Sequence, residues 1–149
     1  MLMLSAVLST DPCSAAELTR RKGELPPMEA QQAYERLIAI DTFAFGSVGF
    51  AGTGSVGEQA FRTLLASPNA LAAFRRILAT GNTASKLYAL CGIRRLCCPS
   101  FGEASTALVA ANPDIETMAG CEVHREKAAV VVQRIADGAY DRWCSNGRN

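Results

Sequence analysis

Histidine and tryptophan each occur once in this 149-residue chain, and charged residues make up only 19% of it. A single histidine leaves no imidazole cluster for a metal site. Nor is there an excess of either charge: the formal net charge is +1 and the pI about 7.6. That is too neutral for the basic footprint of a nucleic-acid binder. No apolar run approaches the ~18 residues that a membrane-spanning helix needs. What remains is a chain that is 49% hydrophobic and holds 25 alanines, the strongest helix former. Its length fits one domain able to bury roughly 68–70% of the surface exposed when unfolded.

The amino terminus opens with a short apolar run, Met1 to Leu8, followed by small residues around Cys13 to Ala16. The apolar core and small-residue cleavage site fit a secretory signal, but the basic segment that should precede them is missing. Residues 1–16 therefore read either as a truncated signal segment, implying a periplasmic or secreted protein, or as an ordinary terminus of a cytoplasmic one. Residues 17–27, broken by Gly23 and Pro26-Pro27, read as a linker, and residues 28–149 as a single α-helical domain.

Six cysteines bear on the compartment: Cys13, Cys91, Cys97, Cys98, Cys121 and Cys144. Only Cys121 and His124 have a metal-like spacing, so no metal site is expected. Cys91, Cys97 and Cys98 fall in one helical pattern. At 1.5 Å per residue, Cys91 is roughly 9–10 Å from the other two, too far to bridge. If a signal is cut near Ala15, Cys13 is lost and five remain; the economical arrangement then joins Cys97 and Cys98 to Cys121 and Cys144 in two disulfides, with Cys91 a buried free thiol.

Apolar spacing predicts helices over most of the remaining chain. Ala30, Tyr34, Leu37 and Ile38 share one face. Ser55-x-x-Glu58 and Ser100-x-x-Glu103 fit capping boxes, and Ser67-Pro68 fits an N-cap followed by proline. Gly81-Asn82 ends that last helix and Thr83 can cap the next, and residues 84–97 are apolar almost all round, as a central helix requires. Val130 to Val132 favour a strand, but the flanking charges keep a helix over 126–136, with Gly138 just past its end. Residues 41–54, with Phe43, Phe45, Phe50 and four glycines, read as an apolar loop that folds back on the core or onto a partner. Residues 114–124 lack helical periodicity and read as a short strand or loop. About six antiparallel helices joined by short loops make an all-α bundle with little or no strand. Residues 56–97, with Leu87-Tyr-Ala-Leu-Cys-Gly-Ile93 as the inner helix, resemble HEAT-type helical-repeat packing. That resemblance implies a stacked-helix scaffold of the kind used for binding.

Candidate chemistry is sparse. Gly52-Thr-Gly-Ser-Val-Gly57 matches a dinucleotide fingerprint literally, but no second strand follows and no acidic residue stands about 20 positions on. It reads as a turn and a cap, with no cofactor. The scattered carboxylates declare no acid/base pair. The expected function is therefore non-enzymatic: an exported module of binding or inhibitor type that works by contact with an unidentified protein partner. Phe43, Phe45, Phe50 and the cationic group Arg75, Arg76, Arg94 and Arg95 are the candidate contact residues. Two alternatives stay open: a small thiol-dependent enzyme using Cys121 and His124, or a scaffold that self-associates through the Phe-rich segment.

Overall fold

A computed structural model describes residues 27–49 and 52–145. The expected signal segment, most of the linker, Cys13 and Phe50 lie outside them. The elements run α1 (Pro27–Ala39), β1 (Thr42–Val48), β2 (Thr53–Gly54), α2 (Val56–Leu65), α3 (Ala70–Thr80), α4 (Thr83–Leu96), a 3-10 turn, α5 (Phe101–Ala111), β3 (Asp114–Gly120), β4 (Glu122–Lys127), α6 (Ala128–Ala136) and α7 (Asp141–Cys144).

The all-α expectation is wrong. Three full strands and the two-residue β2 form one mixed sheet in the order β2-β1-β3-β4. β1 lies parallel to β3, and the other pairs are antiparallel. The supposed loop at 41–54 is β1 and the β1–β2 connection, because Thr-Phe-Ala-Phe puts both phenylalanines on one face of an extended chain. That face is the core: Phe43 is 1% and Phe45 7% exposed. In β3, Ile115 and Thr117 point inward while Asp114 and Glu116 stay in water. β4 runs on to Lys127 and takes the start of the expected last helix with it.

α4 lies at the centre, as its all-round apolar pattern requires, with nine of its residues buried. It touches all the other helices and both core strands. A chain of aromatic contacts ties the sheet to the helices: Phe43 and Phe45 to Tyr88 of α4 (4.8 and 5.1 Å between ring centres), Phe45 to Phe61 of α2 (5.3 Å), and Phe61 to Phe74 of α3 (5.5 Å). Each such pair contributes about 0.5–1.5 kcal/mol beyond the area it buries.

Capping chemistry is partly as read. The Ser55 side chain accepts the Glu58 N–H at 2.9 Å. The Glu58 carboxylate does not reach back to Ser55, however. It accepts the Gly46 N–H of β1 at 2.6 Å and pairs with Arg62 at 2.7 Å, so the cap also fastens the helix to the sheet. Asn82, rather than Thr83, caps α4 by accepting the Ser85 N–H. Ser100 makes no side-chain cap, and α3 starts at Ala70 after Asn69 rather than at Ser67-Pro68. Gly138, at φ +80°, ends α6 in the left-handed conformation that suits glycine. No helix among the described residues is long and apolar enough to cross a membrane.

Candidate functional site

The four arginines expected to share a surface are dispersed. Arg94 serves the fold: its Nε donates to the Ile135 carbonyl at the end of α6, and its Nη2 pairs with Asp141 of α7 at 3.1 Å. Arg75 and Arg76, about 100° apart around α3, diverge. The Arg76 guanidinium lies over the Tyr34 ring of α1, 5.4 Å from its centre. Arg75 turns instead toward α5, and Arg95 stays exposed near the end of α4. Phe43 and Phe45, offered as partner contacts, are core residues.

Arg75 lines a groove of about 520 Å³ between α3 and α5, both of which pack on α4. One wall is Ala104, Ala107, Leu108 and Ala111 of α5, at i, i+3, i+4 and i+7 on one helical face. The other is Arg75, Leu78 and Ala79 of α3, with Lys86 of α4 between them. α5 carries a single charge, Glu103, yet only Ser105 and Leu108 are buried, and Val109 is 40% exposed. A helix this apolar is normally covered on most of its surface. Among the described residues neither Arg75 nor Lys86 has an acidic partner within 4 Å. Sequence reading missed the α5 wall because a run of alanines looks the same whether it is covered or bare.

A second cavity, of about 560 Å³, lies between β1, β3 and β4 of the sheet, Arg134 of α6 and the residues around α7. Phe43, Phe45, Tyr140 and Trp143 form its aromatic side. Opposite them, Thr117 of β3 donates its hydroxyl to Glu126 of β4 at 2.7 Å, and Arg134 of α6 grips both oxygens of that carboxylate at 2.8 and 2.7 Å. Burial raises the Glu126 pKa, but the bonds from Arg134 and Thr117 outweigh it and hold the carboxyl below its usual range. The same Glu126 contact holds the Arg134 guanidinium firmly protonated. Burial pushes the neighbouring Tyr140 phenol up.

The expected disulfides do not form: the five cysteines among the described residues are all free. Cys97 lies 3.1 Å from the Ser100 hydroxyl, Cys98 is exposed, and Cys121 is exposed in the β3–β4 turn. Cys144 is buried at 3% exposure on α7, which packs against α4. Cys91 is the buried thiol it was expected to be, at 2% exposure. Without the bridges, the cysteines no longer point to export. His124 is exposed on β4 with Nε2 3.4 Å from Glu122, and no hydrogen bond joins it to Cys121. Among the described residues no three potential metal ligands converge. Gly52–Gly57 is a turn, strand β2 and the Ser55 cap, leading into α2 and α3 rather than into another strand.

No protein-family model matches the chain, and neither the curated proteins nor the solved structures contain a significant match to it.

Proposed function

We propose that the protein is a non-enzymatic binding module that takes an acidic, amphipathic helical segment of a partner protein into the α3–α5 groove. One observation carries this reading: two cations without acidic partners among the described residues, Arg75 and Lys86, stand beside an apolar, largely uncovered α5. The alanine stripe allows a guest helix to approach closely, and carboxylates along the edge of that guest meet the two cations. Glu103, the only anion lining the groove among the described residues, disfavours a guest that is acidic along its whole length.

The test is fluorescence anisotropy with a labelled peptide bearing glutamates on one helical face and leucine and alanine on the other. Saturable binding that weakens with salt, and is lost in the Arg75→Glu/Lys86→Glu double variant and in Ala107→Trp, supports the proposal. No binding, or binding indifferent to both variants, overturns it.

A further inference from the structure

The cavity beside β4 shares no residue with the groove, and its chemistry differs. Its aromatic side is held rigid. The Phe45 and Trp143 rings lie nearly parallel, 5.9 Å apart, and Tyr140 leans on both at 5.5 and 6.1 Å. Trp143 packs over Gly46, where a Cβ atom would come within 3.2 Å of the indole and the φ of +85° already calls for glycine. These rings are fixed before any guest arrives.

On the polar side the acid is already satisfied. The Glu126 side chain is 16% exposed, and its two oxygens accept from Thr117 and twice from Arg134. Arg134 is 47% exposed and has five N–H donors, of which Glu126 takes two. Arg125 of β4, 74% exposed, also lines the cavity and stands 4.0 Å from its nearest carboxylate, Asp114. His124 adds a third nitrogen donor at the mouth, beside Glu122. An entering molecule therefore meets aromatic edges on one side and outward-facing cationic donors on the other, with the carboxylate between them already engaged. A volume of about 560 Å³ falls within the roughly 300–1,000 Å³ usual for small-molecule sites.

From this arrangement we infer that the cavity is a binding site for a small aromatic carboxylate. Its ring lies against Phe45, Tyr140 and Trp143, and its carboxylate accepts hydrogen bonds from Arg134 and the nitrogen donors at the mouth. A bidentate guanidinium–carboxylate contact is the geometry for which arginine is suited. A cationic ligand would face Arg134 and Arg125 and be repelled, and a neutral one would leave their donors unused.

Trp143 is the only tryptophan in the chain, so its fluorescence and its indole N–H resonance report on this cavity alone. The probe is phenylacetate, compared with phenylacetamide and phenethylamine, which keep the ring but carry no negative charge. Saturable Trp143 quenching and a shifted indole resonance are expected with phenylacetate, and about tenfold weaker affinity with the amide and the amine. Arg125→Gln, a change at an exposed lining side chain outside the Glu126 network, weakens phenylacetate binding several-fold. Ala119→Phe, at an exposed position lining the cavity, removes it by filling the space. Unchanged far-UV dichroism and melting temperature confirm that both variants are folded. Equal responses to the three probes, no saturable response to phenylacetate, or binding that survives Ala119→Phe overturns the inference.

Discussion

Tyr88 and Ala44, forty-four residues apart, exchange two hydrogen bonds: the Tyr88 hydroxyl donates to the Ala44 carbonyl at 2.6 Å and accepts the Ala44 N–H at 3.0 Å. β2 pairs only with Ser47 and Val48, so it does not reach this part of β1. A side chain from the central helix does a strand's work there, helped by the Ser55 hydroxyl, which also donates to the Ala44 carbonyl at 2.6 Å. Tyr88→Phe leaves a buried backbone N–H without a partner and should cost about 1–3 kcal/mol in urea unfolding.

Burial also pushes the Tyr88 pKa up to about 12, from the usual 10.0. A folded-state pKa raised above the unfolded one gives stability that is fully present below pH 10 and lost as the pH climbs toward 12. Wild-type protein should therefore lose stability through that window, while Tyr88→Phe should be flatter there. Urea midpoints at stepped alkaline pH measure both.

Gly92 of α4 faces the Phe74 ring so closely that an added Cβ would collide with it. In an open helix, glycine to alanine stabilises by about 0.5–1 kcal/mol. Gly92→Ala should reverse that sign and destabilise by about 1–3 kcal/mol through overpacking. Gly102→Ala on α5, where nothing lies within 4 Å of the new methyl, should show the ordinary gain. Thermal melts of the two variants make a matched pair.

The Glu126 carboxyl is held below its usual 4.5 in the folded protein. A depressed folded pKa gives stability that is present above the unfolded value and lost as the pH falls through the folded one. Wild-type protein should unfold more easily step by step below pH 4.5, and its advantage over Glu126→Gln should shrink over the same steps. Denaturation midpoints from pH 6 downward read this directly.

The thiols should separate by reactivity. Cys98 and Cys121, both exposed, should react first with iodoacetamide, and Cys97, partly covered, after them. Cys91 should react last, because burial pushes its pKa well above the usual value and shields it from the reagent. Peptide mass spectrometry after timed quenching gives the order.

Helices with a one-sided or all-round apolar pattern were legible in the sequence, because burial imposes a 3.6-residue period that one chain displays alone. α4 is the clearest case. Strands were less legible for separate reasons. In β1 the alternation of Phe43 and Phe45 is broken by the buried Ala44 and the bent Gly46. In β4 five of six residues are exposed, so no inward face marks it. β3 did show a signal, Asp-Ile-Glu-Thr-Met alternating out and in, but its parallel partner lies more than seventy positions earlier. The groove cations were visible as residue types. Which of them face one another was decided by packing: Arg75 and Arg76 are neighbours in sequence and serve different helices. The Thr117–Glu126–Arg134 network joins two strands and a helix, and only the register of β3 on β4 brings Thr117 within reach of Glu126.

Because β1 pairs with β3, its hydrogen-bonding partner is made only after four intervening helices have left the ribosome. Throughout that interval Phe43 and Phe45 lack the strand beside them, and contacts this distant in sequence close slowly. The α2–α4 helices, with their short loops and local contacts, are therefore expected to assemble first and shelter the two rings against Tyr88 and Phe61. The sheet is completed on that platform, so damage to the Tyr88 contact would show as aggregation during synthesis before it showed as a lower melting temperature.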